Sequence, residues 1–579
     1  MRRWKITLLA LGVGLFLLVV GAWMLRWWWF PWLLRGYMYV HDIGRVRYEE
    51  LIWDKPSHLT FCGFAFRKGA WDFGADKVEI KLWPCRSVYI QNGRLGKGGV
   101  QLAVDGAKTP TPASLNFLLD WIETLSALDT LLLDSLELPY GLAVSFVKGG
   151  RQWKGSLRRG ISEVIGQGEW IGDTLRFRLD SARFIEGGGG YVGWDSIRGY
   201  LSKGENKLDI KILGWGWRLF HKRIASRPLF YEVAGMKGEW RIVQDTHCLS
   251  IRPYHMPLDF TLTLWWHPKH SWLQAWVFVP EQPHRAFLEA FPEGFFTCLS
   301  QAVIEGTSSV SLRMEYNPHS RDTLSLDVGW EAHDFRLLRW NGRNPLSLLE
   351  PFEYQPYRSA RRIWLGPESN SYLAFSQITP YVLHAVLHSE DGIFFYHSGF
   401  QKERFIKALL ENWHCRCFRR GAGTITMQVV RNLLLTREKN LARKVEEILL
   451  TALIERFRLL SKQRIAELYF NMVEWGPEVY GLTEAAHFYF AKEPHELTIP
   501  EAIFLGLLLP SPKAYRHFVD KETGCALASL RPYFQTIARF LVHQNYLHPD
   551  SVETIVPERV CLTAPAWRKD SVVFASPMP

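Results

Sequence analysis

The sequence EDGIFFYHSG, residues 390–399, is the first of four short segments that decide the fold of the last third of the chain. The others read GAGTITMQVVRN at 421–432, RKVEE at 443–447 and ELYFN at 467–471. Around the third segment, apolar residues recur at 441, 445, 448, 449, 452 and 453, which is the spacing of an amphipathic helix. Thr379 before Pro380 predicts a helix start ahead of the first segment. This part of the chain is therefore predicted to be mainly helical.

The four segments supply two carboxylates and a group of cations. The carboxylates are Glu390 and Glu447, and the cations are Arg431, Lys439, Arg443 and Lys444. On a helix, Arg443 and Lys444 share a face with Glu447, because they precede it by four and three residues. Taken alone, RKVEE also fits an ordinary surface helix with weak ion pairs, and Thr424 fits a helix cap.

The order and spacing of the segments resemble the glycosyltransferase domain of family 51, found in class A penicillin-binding proteins and in monofunctional peptidoglycan transglycosylases. The first segment fits the family pattern EDxxFxxHxG, and the third fits RKxxE. The fourth, with Gly476, Gly481 and AAHFYFAK at 485–492, fits the family's YxN, G, G and AAxxYFxK succession. The resemblance is limited to the C-terminal part of the chain and implies a mainly α-helical, lysozyme-like domain there.

The resemblance implies a reaction on lipid II and the growing glycan chain. In the family, an acceptor sugar hydroxyl attacks the anomeric carbon of the donor, and undecaprenyl pyrophosphate leaves with inversion. By motif position, Glu390 is expected to be the general base. Glu447 is expected to lie by the pyrophosphate, or by a divalent cation such as Mg²⁺ or Mn²⁺, and to position the donor. No organic cofactor is expected.

The expected substrate-binding residues are mostly cations, because a pyrophosphate leaves as an anion. They are Arg431, Lys439, Arg443 and Lys444, together with Thr424, Gln428 and Lys407. Thr424 and Gln428 lie in the family's donor-substrate loop, and Lys407 takes the position of a family arginine.

Four positions depart from the family pattern. Gly423 replaces a serine, Met427 a glutamine, Arg431 a lysine and Thr451 an alanine. Gly423 and Met427 remove hydrogen-bonding side chains from the donor loop. One alternative is therefore a catalytically silent envelope-assembly or lipid-handling membrane protein. A lysozyme-like glycan hydrolase is a second alternative, because the two enzyme classes share a helical active-site architecture.

The N-terminus predicts the compartment. Residues 6–25 form an uncharged apolar run, preceded by Arg2, Arg3 and Lys5. Such a run can cross a hydrocarbon core of about 30 Å, and the positive-inside rule places its N-terminus in the cytoplasm. We predict a single-pass anchor in a bacterial inner membrane, with the rest on the periplasmic side; a cleaved signal peptide is the alternative. The net charge of +11 suits anionic lipid or pyrophosphate, and no nucleic-acid partner is expected there.

Between residues 36 and 340 the sequence predicts strands, because apolar and polar residues alternate. The alternation is seen at 175–179, 208–212, 260–264 and 324–328. We predict a large, mostly antiparallel β-rich domain. It faintly resembles AsmA-type envelope proteins, which handle lipids; a scaffold that binds an envelope-assembly protein is the alternative.

The fold class predicted for the whole chain is α+β and multidomain. Its expected parts are a cytoplasmic N-terminus and transmembrane helix at 1–35, the β-rich domain at 36–340, a linker at 341–378, the glycosyltransferase domain at 379–548 and an irregular tail at 549–579. The chain ends at residue 579, soon after Pro512, so no transpeptidase is expected. The eight cysteines show no spacing typical of a disulfide framework, and Cys415 and Cys417 are expected to be free or loosely paired thiols.

Overall fold

The chain forms two compact units in the computed structural model. The residues described are 45–47, 50–55, 58–68, 71–81, 87–97, 130–138, 142–159, 162–185, 189–204, 206–267, 270–319, 323–415, 417, 421–563 and 566. We call the units the β unit, Met1–Phe295 with Glu305–Arg336, and the helical unit, Phe296–Ile304 with Leu337–Pro579. The predicted anchor at 6–25 lies outside the described residues. Among the described residues, no helix is long and apolar enough to span a membrane.

The β unit is built on one sheet, which has 21 strands among the described residues. They are β1 Arg45–Arg47, β2 Glu50–Lys55, β3 His58–Lys68, β4 Trp71–Lys81, β5 Ser87–Gln91, β6 Gly93–Lys97, β7 Thr130–Leu138, β8 Leu142–Gly149, β9 Gln152–Arg159, β10 Ser162–Ile171, β11 Thr174–Leu179, β12 Ala182–Ile185, β13 Tyr191–Trp194, β14 Ser196–Gly204, β15 Lys207–Phe220, β16 Leu229–Val243, β17 Thr246–Tyr254, β18 Thr261–His267, β19 Trp272–Pro283, β20 Ala302–Tyr316 and β21 Leu324–Trp340. Helix α1, His284–Glu289, follows β19. The pairings seen among the described residues are antiparallel, except those of β5 and β6 with β7, which are parallel. The predicted mostly antiparallel β region is confirmed.

The alternation of apolar and polar residues correctly predicts which face is buried in some strands. In others it predicts that a strand is present but not which of its faces is buried. In β11, Leu175 and Phe177 are buried and Arg176 is exposed, as a period of two requires. In β18 the pattern is reversed, because Thr263 is buried while Leu264 is only half-buried. Adjacent tryptophans at 265 and 266 give this strand apolar surface on both faces, so alternation alone does not identify the core side.

The helical unit contains the predicted helices and two short hairpins. The helices are α2 Pro380–Asp391, α3 Lys402–Cys415, α4 Ile425–Leu433, α5 Leu441–Arg456, α6 Lys462–Met472, α7 Leu482–Phe490, α8 Ile499–Leu508 and α9 Arg531–His543. The hairpins pair β22 Phe352–Tyr354 with β23 Ile363–Leu365, and β24 Glu474–Gly476 with β25 Val479–Tyr480. Trp475, Tyr469 and Phe504 lie in the core and are fully buried. The helical C-terminal domain is confirmed.

The helical unit extends beyond the boundaries expected from sequence. The expected linker at 341–378 contains β22 and β23, and Tyr354 and Leu365 are buried. The expected irregular tail contains short 3-10 helices at Pro549–Thr554 and Pro557–Arg559, and Val560 is fully buried. These segments belong to the unit because their apolar side chains complete its core.

Two disulfides lie in the helical unit. One joins Cys415 to Cys417 at the end of α3, and the other joins Cys525 to Cys561. The expectation of thiols at 415 and 417 is therefore wrong. Chain folding brings Cys525 and Cys561 together across 36 positions, which no local spacing indicates.

Candidate active site

Glu390 lies at the C-terminal end of α2, where its carboxylate is largely buried. Gln428 Nε2 on α4 donates to Glu390 Oε2 at 3.0 Å, and Arg404 Nη1 donates to the Glu390 carbonyl oxygen at 2.6 Å. Glu390 Oε1 has no hydrogen-bond partner in the described part of the chain. Burial raises the pKa of Glu390, and the Gln428 hydrogen bond and the charge of Arg404 only partly offset it. The carboxylate is therefore a stronger base than an exposed glutamate, with one oxygen open.

The neighbouring Asp391 holds the loop around Glu390. It is fully buried and accepts hydrogen bonds from His397 Nε2 at 2.9 Å, from Gln401 Nε2 and from the backbone N–H of Ile425 at 3.0 Å. Burial alone would raise the pKa of Asp391, but these hydrogen bonds and the His397 ring hold it below its usual value. Gly399 N–H donates to His397 Nδ1 at 3.0 Å, so His397 is engaged on both nitrogens and positions the loop.

Arg431, one turn after Gln428 on α4, connects the two predicted acids electrostatically. Its charge lowers the pKa of Glu390, and the charge of Glu447 in turn raises the pKa of Arg431. Burial is the larger influence on Arg431 and lowers its pKa. Arg431 Nε is buried and has no hydrogen-bond partner among the described residues. The structure therefore places Arg431 within electrostatic reach of both Glu390 and Glu447.

Glu447 organises two cations on α5. Its oxygens bind Arg443 Nη1 and, at 2.8 Å, Lys444 Nζ. Arg443 Nε also donates to the Glu438 carbonyl oxygen at 2.5 Å. The carboxylate of Glu447 is 1% exposed, whereas Lys444 is 41% exposed. The surface-helix interpretation of RKVEE is therefore wrong, because a buried carboxylate holds both cations in fixed positions.

The surroundings of Glu447 do not fit a divalent cation. Such an ion takes several oxygen ligands, but both oxygens of Glu447 are already paired with cations. Among the described residues there is no group of three His, Cys, Asp or Glu side chains that could hold a metal ion. The role of Glu447 is better explained by the two cations than by a metal.

Three other predicted binding residues do not meet the carboxylates. Lys407 on α3 and Lys439 before α5 are exposed. The hydroxyl of Thr424 is fully buried, donates to Gly399 O at 2.7 Å and caps α4. The cation of α3 that reaches Glu390 is Arg404, one turn before Lys407, because the end of α2 contacts that turn.

The departures from the family pattern have different structural effects. A Cβ added at Gly423 would meet no atom within 4 Å, so the serine of the family would fit there. Met427 is 1% exposed and belongs to the core. Thr451 is buried and donates to the Glu447 carbonyl oxygen at 2.7 Å. Of these three positions, only Gly423 changes open surface near the N-terminus of α4.

Sequence reasoning missed three residues of this region. Arg404 was not predicted, because Lys407 takes the position of a family arginine and was chosen instead. Tyr469 was quoted only as the tyrosine of the YxN pattern, yet its buried hydroxyl has no partner within the described residues and interacts electrostatically with Glu390 and Arg431. Glu446 was masked by its neighbour Glu447, and its contacts are described below. A tyrosine hydroxyl with no local partner leaves no signal in a sequence.

Comparison with known proteins places this geometry in a family. A family model described as transglycosylase matches residues 359–529. The biosynthetic peptidoglycan transglycosylase of Acinetobacter baumannii is 36% identical over 157 residues, which are 27% of this chain and 69% of that protein. The chain belongs to the transglycosylase family. The resemblance predicted from the four segments is thereby confirmed.

Other transglycosylase relatives cover the same share of the chain or slightly more. The biosynthetic peptidoglycan transglycosylase of Paraburkholderia xenovorans is 37% identical over 155 residues, 27% of this chain and 62% of that protein. Penicillin-binding protein 1A of Aquifex aeolicus is 32% identical over 192 residues, 33% of this chain. The chain spans 62% of the length of the first of these two proteins and 25% of the second.

We predict that Asp391→Asn lowers the free energy of unfolding of the helical unit by about 2–3 kcal/mol, because it weakens hydrogen bonds to a buried charge. The stability difference between wild type and Asp391→Asn is largest at neutral pH. It becomes smaller as the pH falls through the folded-state pKa of Asp391, which lies below its usual value. Denaturant unfolding of the full chain measures it.

Asp550→Asn is the matched control, because the Asp550 side chain is 90% exposed. It should change stability by about 0.5 kcal/mol or less. Wild-type stability in Asp391→Asn would show that the carboxylate does not hold the loop.

Proposed function

We propose that the protein is a peptidoglycan glycosyltransferase that polymerises lipid II into glycan strands. The observation that carries the proposal is the site formed by a buried base, Glu390, and a cation, Arg431, whose charge reaches both acids. Membership of the transglycosylase family supports the reaction class. A glycosidase instead needs a carboxylic acid to protonate its leaving group, whereas this site is rich in cations.

In the proposed step, the acceptor 4-hydroxyl oxygen attacks the anomeric carbon of the donor. Its proton passes to a carboxylate oxygen of Glu390, for which Oε1 is the open one. The bond between the anomeric carbon and the pyrophosphate oxygen breaks with inversion, and undecaprenyl pyrophosphate leaves with the electron pair. The raised pKa of Glu390 makes it a better proton acceptor than an exposed glutamate.

The cations stabilise the negative charge that develops on the pyrophosphate. Arg431, Arg443 and Lys444 provide this charge, and the buried Glu447 fixes the last two by hydrogen bonds. Fixed donors need no reorganisation as the bond breaks, so they favour the transition state over the bound substrate. Lys439, exposed beside them, is available to the phosphates of an incoming donor.

We further propose that the transferase works at the outer face of a bacterial inner membrane, held by the anchor predicted at residues 6–25. A polyprenyl-linked donor is accessible only at a membrane surface. The two disulfides support an oxidising compartment outside the cytoplasm. The β unit is proposed to be a scaffold or a binding surface for envelope-assembly proteins or lipids.

Glu390→Gln should reduce glycan polymerisation from labelled lipid II by about 10²–10⁴-fold, because the base is lost while its shape is kept. The assay uses the purified full chain in detergent and separates polymer from lipid II by gel electrophoresis. The exposed Glu403→Gln on α3 is the control and should retain wild-type activity.

The same assay separates the alternatives. Cleavage of finished glycan without lipid II would instead indicate a hydrolase. A wild-type chain that makes no polymer over a range of divalent ions and detergents would indicate the silent assembly protein.

Gln428→Leu should move the acidic limb of the kcat/KM profile to higher pH. The Gln428 hydrogen bond stabilises the carboxylate form of Glu390, so its loss raises the pKa of Glu390 further. The base then stays protonated up to a higher pH. Gln535→Leu, which removes a surface hydrogen bond to Glu553, is the control. An acidic limb that stays in place or moves to lower pH would contradict the assignment of Glu390.

A further inference from the structure

Glu446, next to Glu447 on α5, binds a distant segment of the chain with its buried carboxylate. It is 1% exposed. Its Oε1 accepts from the backbone N–H groups of Thr297 at 2.9 Å, Cys298 at 2.6 Å and Leu299 at 2.8 Å. Its Oε2 accepts from the Thr297 hydroxyl at 2.9 Å. Three consecutive amides and one hydroxyl thus surround one carboxylate, and we call this contact the Glu446 clamp.

The segment held by the clamp is well packed within the helical unit. Phe296–Ile304 belongs to this unit, although the chain on both sides of it belongs to the β unit. Leu299 is fully buried, and the Cys298 carbonyl oxygen accepts from Trp340 Nε1 at 3.1 Å. Burial raises the pKa of the Cys298 thiol to about 12, so this side chain is neutral. The amides that face Glu446 are therefore fixed in place.

A second contact holds α4 to the same neighbourhood. Cys298 Sγ donates to the Arg343 carbonyl oxygen at 3.4 Å. Arg343 Nη1 in turn donates to the Leu433 carbonyl oxygen, at the last residue of α4, at 3.2 Å. The helix that carries Arg431 and the helix that carries Glu447 are thus both tied to residues around Cys298.

The direction of Glu446 on α5 gives the clamp its effect. Successive helical residues differ by about 100° around the axis, so Glu446 cannot face the same way as Glu447. Glu446 binds residues 297–299, whereas Glu447 binds Arg443 and Lys444 and interacts electrostatically with Arg431. A fixed Glu446 side chain therefore fixes the rotation of α5 about its own axis.

We propose that Glu446 is a positioning residue, and that the Glu446 clamp sets the rotation of α5 at which Arg443 and Lys444 meet the departing pyrophosphate. The activity part of this inference rests on the proposed function. The segment 296–304 is then a part of the transferase, although it lies outside the family match at 359–529. Small displacements of positioned groups can cost about 10²-fold in rate, so a rotated α5 should lower kcat.

The test uses three variants of the full chain and one control. Glu446→Ala removes the acceptor, Glu446→Gln keeps one oxygen for the amides, and Thr297→Val removes only the hydroxyl donor. Glu501→Gln is the matched control on α8, because its carboxylate also accepts from a backbone N–H, from the Thr498 hydroxyl and from Lys492. The thermal unfolding midpoint, kcat and KM for lipid II are measured for each protein.

We expect Glu446→Ala to lower kcat by about 10²-fold, with Glu446→Gln and Thr297→Val in between. Glu501→Gln should lose comparable thermal stability yet keep its kcat. If Glu446→Ala keeps its kcat, or loses no more than Glu501→Gln at equal stability, the clamp is structural only and the inference is overturned.

Hydrogen exchange on the substrate-free chain tests the contact without any activity. In Glu446→Ala, the amides of Cys298 and Leu299 and those of α5 should exchange faster, while α8 keeps its protection. Unchanged exchange at Cys298 and Leu299 would refute the clamp. If wild type makes no polymer, the proposed function fails, and this measurement still decides whether Glu446 positions α5.

Discussion

The site depends on the hydrogen bonds that the buried Asp391 carboxylate accepts. This carboxylate joins the end of α2 to the first N–H of α4 and to the loop that follows α2. A carboxylate at the N-terminus of a helix is stabilised by the helix dipole as well as by the donated hydrogen bond. Because Glu390 ends one helix and Gln428 and Arg431 lie on the other, this junction determines how the base meets its partners.

Near that junction, two glutamates of the helical unit, Glu390 and Glu447, have different surroundings. Glu390 is largely buried and its pKa is raised, whereas Glu447 is fully buried and paired with two cations. Identical side chains thus acquire different tasks from their surroundings. In the proposed reaction, Glu390 takes up the proton, while Glu447 holds Arg443 and Lys444.

Sequence predicted the parts of this site that are local. Helix spacing placed Arg443 and Lys444 beside Glu447, and motif order selected Glu390. It did not predict that Arg404 contacts Glu390, because that contact depends on how α3 packs against the end of α2. It also did not predict the partners of Glu446 at residues 297–299, since no local pattern joins positions about 150 residues apart. The strand pattern located β11 and β18 equally well but gave the buried face of only one, because packing decides the face where both sides are apolar.

The position of residues 297–299 in the chain has a consequence for how the helical unit is assembled. These residues precede Glu446 by 147 to 149 positions. Each helix can form from its own neighbours within microseconds, but the contact with Glu446 requires closure of a long loop. During synthesis, the amides of residues 297–299 cannot donate to the Glu446 carboxylate until α5 has been made. The last third of the chain therefore completes its fold through a non-local step, although nearly all of its secondary structure is local.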